Sequence, residues 1–310
     1  MNVLVTGGTG YLGRAIVQAL ARQGHSPTIF ARRATIAADL PGSCINGDVC
    51  DRTAVLRAVR GMDAVIHSAA LVSAWRKDPS AFDRVNVGGL ETVVDVCKSH
   101  GTPRLVVTSS FLALPPAGRT RPLEANPYQR SKVRAREVAR AAAQRGAPIV
   151  SVTPGVVYGP GIESEGNLVG RMVRDHLAGR LPGIIGAERT WAFSFVDDVA
   201  NAHVSALTAG EPGADYVVGG DNAPQLRAFE IVRDLTGRPL PRRIPAPLAH
   251  VLGAVEEIRA LGGATPKLTR GTVRILTHDW PLDSARSIQK LSYQLTPLET
   301  GLRTLLSIRS

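Results

Sequence analysis

A chain of 310 residues, 44% hydrophobic and 20% charged, is long enough for a large α/β core or two modest domains and has the balance of a soluble globular protein. No apolar run approaches the length of a membrane span and no basic leader precedes the first apolar run, so the expectation is a cytoplasmic protein with no membrane partner. A net charge of +11 admits an acidic partner. Yet arginine supplies most of the excess, it is spread along the chain, and 5% aromatics are too few for base-stacking platforms, so a phosphate-bearing cofactor is favoured and no nucleic acid is expected.

The chain opens on Val3 to Gly13, Val-Leu-Val-Thr-Gly-Gly-Thr-Gly-Tyr-Leu-Gly. Asn2 to Val5 suits a buried parallel strand, and Leu12, Ala15, Ile16, Ala19 and Leu20 follow at helical spacing. Glycines between strand and helix allow a tight turn, close approach of backbone to a pyrophosphate, and close packing of helix on strand. Gly7, Gly10 and Gly13 make the grip, with Tyr11 and Leu12 at the helix start, where free N–H groups and the positive dipole end face phosphate.

Ser26 to Phe30 reads as the second strand, and Ala31-Arg32-Arg33 follows it. NAD-binding folds place a carboxylate about 20 residues past the glycines to accept the ribose hydroxyls. Here a guanidinium stands instead, suited to a 2′-phosphate, so Arg32 and Arg33 point to NADP(H); the alternative is two exposed loop charges. Cys44 to Gly47 is the third strand, with Asp48 and Val49 at its end where an adenine can lie, and Asp51 caps the next helix. Ala64 to His67 is the fourth, ending in Ser68, Ala69 and Ala70, small residues that leave room for a cofactor; His67 reads as a packing residue. Cys44, Cys50 and Cys97 have neither metal-ligand nor disulfide spacing, so buried free thiols and no metal are expected.

A helix from about Asp83 to Ser99 carries Val87, Leu90, Val94 and Cys97 on one face, and Arg104 to Thr108 is the fifth strand. This alternation implies a doubly wound parallel sheet, with ligands across the carboxyl ends of its strands. Ser109 and Ser110 sit at that edge. Eighteen residues after Ser110, Tyr128-Gln129-Arg130-Ser131-Lys132 opens a basic helix whose exposed charges read as a solvated face. Tyrosine and lysine four apart share a helix face, and an ammonium beside the phenol favours phenolate, lowering the pKa from about 10. Ile149 to Thr153 is the sixth strand, and Asp215 to Val218 a further one.

Together these motifs resemble the extended short-chain dehydrogenase/reductase superfamily. The likeness runs through Thr6 to Gly13, Asn86-Val87, Thr108 to Ser110, Tyr128 to Lys132, Pro154 to Gly161, Phe195 to Ala200, and a closing segment at Leu282-Asp283, Lys290-Leu291, Tyr293 and Gly301-Leu302. The resemblance implies a Rossmann domain over residues 1–157, with 191–220 returning to it, and a mainly helical substrate lobe over 158–310 that begins with Leu168, Val169, Met172 and Val173. It implies Ser110, Tyr128 and Lys132 as catalytic residues. Thr108, with Pro154, Val156 and Val157 under the nicotinamide, would help hold the cofactor. It also implies a homodimer through the helices of Val87 to Cys97 and Tyr128 to Ala142. In the last segment, Thr296, Pro297 and Glu299 read as cap, first-turn proline and capping box of a final helix.

Within that superfamily, Thr153 and Trp191-Ala192-Phe193 depart from the nucleotide-sugar branches, and Phe111-Leu112 replaces the Asp-Glu pair a 4,6-dehydratase needs. A basic pocket of Arg171, Arg174 or Arg189 would keep a nucleotide sugar in play. The remaining motifs resemble the dihydroflavonol reductase-like and hydroxysteroid dehydrogenase-like branches, implying a pocket among Leu71, Val72, Trp75, Phe111, Leu112, Tyr158, Met172 and Trp191, with plain packing as the other role for each. The first expectation is therefore NADPH-dependent reduction of a ketone on an apolar small molecule. The alternatives are a nucleotide-sugar epimerase holding NAD tightly, and a non-catalytic NADP(H)-responsive binding protein.

Overall fold

The computed structural model, which describes residues 1–307, gathers these apolar runs into one sheet. Its first six strands are β1 (Asn2–Thr6), β2 (Ser26–Ala31), β3 (Ser43–Asn46), β4 (Ala64–His67), β5 (Leu105–Thr108) and β6 (Ile149–Pro154). Later come β7 (Val156–Tyr158), β8 (Ile184–Ile185), β9 (Thr190–Phe195), β10 (Asp215–Val218), β11 (Asp221–Pro224) and β12 (Arg243–Ile244). The main sheet runs β10-β6-β5-β4-β1-β2-β3 with every neighbour parallel. The direction of strand succession reverses between β1 and β4, which opens a crevice beyond their carboxyl ends.

Helices cover both faces, because strands apolar on both sides have nowhere to meet water. They are α1 (Tyr11–Arg22), α2 (Arg52–Val59), α3 (Ser80–Asp83), α4 (Gly89–His100), α5 (Pro127–Gln144), α6 (Leu168–Leu177) and α7 (Val196–Thr208). After them follow α8 (Gln225–Thr236), α9 (Ala246–Leu261), α10 (Arg270–Leu276), α11 (Ala285–Leu291) and α12 (Leu298–Ser307). On one face Val3, Val5, Ile66, Val106 and Val152 pack with Ile16 and Leu20 of α1 and Val199 and Leu207 of α7. On the other, Leu4, Val65, Leu105 and Val107 meet Val55 and Val59 of α2, Leu90 and Val94 of α4, and Ala135 and Ala139 of α5.

A third apolar cluster, with Val169, Val173, Trp191, Phe193, Ile231, Trp280 and Leu302, forms the second lobe. Strand β9, expected with the returning segment, pairs instead with β7 and β11 in a separate three-stranded sheet. The chain rejoins the first lobe at Val196, where α7 packs along α1.

Three local expectations are corrected. The helix expected from Asp83 to Ser99 is not regular: a π-helical turn at Arg84–Gly88 separates α3 from α4, and it carries the buried Asn86. Thr296 does not cap α12, because its N–H and hydroxyl both donate to the Asp198 carboxylate, at 2.7 and 3.0 Å. Asp221 accepts the Leu298 N–H at 2.7 Å instead. Of the three free thiols only Cys97 is buried; Cys50 is exposed, donating to the Arg84 carbonyl at 3.4 Å.

A Cβ on Gly13 would stand 2.1 Å from the Gly7 carbonyl oxygen, a backbone atom that cannot swing aside. Gly13→Ala is expected to cost about 1–3 kcal/mol through this overlap, read as a lowered urea midpoint.

Candidate active site

The glycine turn is built by contact as much as by flexibility. Gly7 adopts φ +73° and its Cβ position lies 2.7 Å from Ala69 Cα and N, so the turn after β1 touches the loop after β4. The Ser68 N–H reinforces this by donating to the Thr6 carbonyl at 3.1 Å, and the Ala69 N–H to Thr6 Oγ1 at 3.3 Å. Thr6 Oγ1 also meets His67 Nδ1 at 2.9 Å; burial drives the His67 pKa down to about 3, with the Lys132 charge adding to the shift. His67 is thus a neutral packing residue. Gly10 precedes α1 with no side-chain cap, and the first intrahelical bond is Arg14 N–H to Gly10 O at 2.9 Å. The amides of Tyr11, Leu12 and Gly13 therefore remain available to a phosphate. The Tyr11 side chain turns away, its hydroxyl donating to the Gly159 carbonyl at 3.1 Å, so only its backbone faces the crevice.

At the far end of β2, Arg32 and Arg33 are exposed and enter no ion pair among the described residues. Asp39, the nearest acidic residue downstream in the chain, is held by Arg14. Asp48 is exposed and accepts the Cys50 N–H at 2.9 Å. Val49 is buried against Gly89.

Ser110 and Tyr128 meet at the carboxyl edge of β5. Burial raises the Tyr128 pKa to about 12, against a smaller lowering by a hydrogen bond with Ser110. This runs opposite to the expected lowering: Lys132, one turn along α5, directs its ammonium to the Thr108 carbonyl at 3.2 Å, and at the phenol desolvation outweighs the Ser110 hydrogen bond. Lys132 is itself buried, which lowers its pKa to about 8. Its two other N–H groups have no partner among the described residues. Behind it lies a cavity of about 10 Å³, room for a single water, bordered by Ser109 whose buried hydroxyl is unpartnered.

Asn86, noted only as part of the resemblance, joins the parts. Its Oδ1 accepts the Leu71 N–H at 2.7 Å, and its Nδ2 donates to the Leu71 carbonyl at 3.1 Å and to Ser131 Oγ at 2.8 Å. The loop after β4 is thereby tied to the helix that carries Tyr128 and Lys132. Across the crevice, Ser194 Oγ accepts the Gly155 N–H at 3.1 Å and fixes the run Pro154, Val156, Val157.

The expected pocket lining divides. Leu71, Val72, Trp75 and Phe111 are half-buried, and Leu112 packs in the cluster that Tyr128 borders. Tyr158 and Trp191 belong to the second lobe's core, and Met172 packs with Leu226 and Phe229. Trp280, which no spacing in the sequence marks, stands edge-on to Phe111 with centroids 5.3 Å apart. Of the candidate basic residues, Arg174 pairs with Glu163 at 3.1 Å, Arg189 with Asp279 at 3.0 Å, and Arg171 is exposed.

Because the folded Lys132 loses its proton near pH 8 and the unfolded lysine near 10.5, the unfolded chain binds more protons between these values. Stability from this group therefore rises with pH across that window. Melting temperatures of the cofactor-free protein should show a rise there that Lys132→Met lacks.

Residues 3–219 match the model of the NAD dependent epimerase/dehydratase family. The chain is 31% identical to Sterol demethylase protein B of Methylococcus capsulatus, over 97% of this chain and 95% of that protein. It is 30% identical to a 2-alkyl-3-oxoalkanoate reductase of Stenotrophomonas maltophilia, over 98% of each. The crystal structure of gox2253 superposes with a TM-score of 0.83 at 26% identity, covering 98% of this chain and 96% of that one. The grip on a nicotinamide cofactor and the extent of these matches make the chain a member of the NAD dependent epimerase/dehydratase family, the extended short-chain dehydrogenases/reductases.

Proposed function

We propose that this protein is an NADPH-dependent ketoreductase acting on a mainly apolar small molecule. The observation that carries the reading is the meeting of Ser110, Tyr128 and Lys132 beside the glycine turn, with no carboxylate at Phe111-Leu112 to serve as the acid and base of a dehydration. The bound nicotinamide would supply a hydride to the carbonyl carbon. Tyr128 gives its proton to the carbonyl oxygen, and its raised pKa keeps the phenol protonated at neutral pH, the state a proton donor requires. Ser110 holds that oxygen by a hydrogen bond. Lys132, fixed by Thr108, has N–H groups left over that would hold the ribose of the bound cofactor, and its charge would favour the phenolate left behind.

The grip fits a dinucleotide because side chains at Gly7 and Gly13 would fill it with atoms. Arg32 and Arg33, free of carboxylates, suit a 2′-phosphate. Phe111 and Trp280 near the reacting edge favour an apolar ketone, in line with relatives named for a 3-oxoalkanoate and a sterol. A cytoplasmic enzyme that dimerises through α4 and α5 is part of the same proposal.

Tyr128→Phe should retain NADPH binding by fluorescence titration while turnover of 2-alkyl-3-oxoalkanoates and steroid-like ketones falls by about 10²–10⁴. Equal loss of binding and turnover would remove Tyr128 from the proton step. Arg32→Ala with Arg33→Ala should weaken NADPH binding about tenfold or more and leave NADH binding nearly unchanged. NAD retained through purification, or a preference for NADH, would favour an epimerase instead.

A further inference from the structure

Helix α9 is assembled inside out. Its buried positions are the small Ala249 and Gly253, the latter with its Cβ position 3.0 Å from the Arg270 amide of α10, so a short-side-chain seam joins the two helices. The large aliphatics Leu248, Val251, Leu252, Val255, Ile258 and Leu261 face outward, between 43% and 88% exposed. They are half of the large hydrophobic residues exposed anywhere among the described residues. At 1.5 Å per residue the stripe is about 20 Å long. An apolar face of this extent on an otherwise solvated molecule calls for an occupant.

Charge selects which one. Residues 238–274 hold seven Lys and Arg residues against two Glu, all seven basic residues exposed. Arg242 and Arg243 lie just before the helix, Arg243 already paired with Glu188. Lys267, Arg270 and Arg274 lie on the segment packed against it, and Glu256 and Glu257 are already engaged by Arg259 and Arg270, each at 2.7 Å. A second copy would bring an equally positive face to this one, and the two would repel. A surface of anionic lipid offers acyl chains to the stripe and negative headgroups to the arginines around it.

We propose that α9 docks this protein in the plane of an anionic membrane surface. No helix among the described residues is long and apolar enough to cross a membrane, so the contact is interfacial. The docked helix sits one element from the reacting centre: Gly271 of α10 approaches the Ala125 carbonyl, just before Tyr128, with its Cβ position at 2.4 Å.

Flotation of the full chain with vesicles of equal parts phosphatidylcholine and phosphatidylglycerol tests this without any turnover, so its failure would leave ketone reduction standing. The protein should float with these vesicles, release at high salt, and ignore pure phosphatidylcholine. Val251→Asp with Val255→Asp, both at exposed positions, should keep the melting temperature and lower the partition about tenfold or more. Arg242→Glu with Arg274→Glu should weaken binding to the mixed vesicles in the same direction. Absence of flotation, equal flotation of the aspartate variant, or self-association abolished by that variant with no vesicle binding would overturn the proposal.

Discussion

The close approach of three backbone segments around Gly7 and Gly13 governs the nucleotide side of this molecule. A single methyl group at either position would meet main-chain atoms, of Ala69 in one case and of Gly7 in the other. That contact fixes the start of α1 against β1 and holds the loop after β4 within reach, so the amides at Tyr11 and Leu12 and the small residues Ser68 to Ala70 border one crevice. The reversal of strand order between β1 and β4 provides the space, and the glycines allow backbone to line it.

At the carboxyl edge of β5, burial dominates. Tyr128 and Lys132 are both moved toward their neutral forms, the phenol upward against a smaller lowering by the Ser110 hydrogen bond, the ammonium downward by desolvation. A buried lysine held by one carbonyl has donors left over, an arrangement that costs stability. Asn86 shows how the fold meets that cost elsewhere: one side chain satisfies both polar groups of Leu71 and reaches Ser131 on α5. The π turn places Asn86 for those bonds, so the irregularity in the helix belongs to the site.

The second lobe follows other rules. Its core of Trp191, Phe193, Trp280 and Leu302 is aromatic and closes over the edge where Ser110 and Tyr128 meet, with Phe111 joining the two parts. Asp198 ties α7 of the first lobe to the start of α12 through Thr296, so the lobes are linked by hydrogen bonds as well as packing. Helix α9 stands outside this scheme, with its large residues turned away from the core.

The sequence by itself determined the parallel sheet, the glycine turn and the Tyr128–Lys132 pair as a candidate, because each depends on local spacing: short apolar runs, glycines between strand and helix, and a tyrosine and lysine one turn apart; Ser110 over Ser109 came from the resemblance to the superfamily. The tertiary structure decided what depends on partners remote in the chain. Tyr11 turns to Gly159, Thr296 to Asp198, and Tyr158 and Trp191 take the packing role rather than the pocket role that the sequence left open for them, since no local pattern encodes a neighbour some hundred residues away. The direction of the Tyr128 shift belongs to the same class, because burial is a property of the packed molecule and the spacing of two residues reveals only the charge.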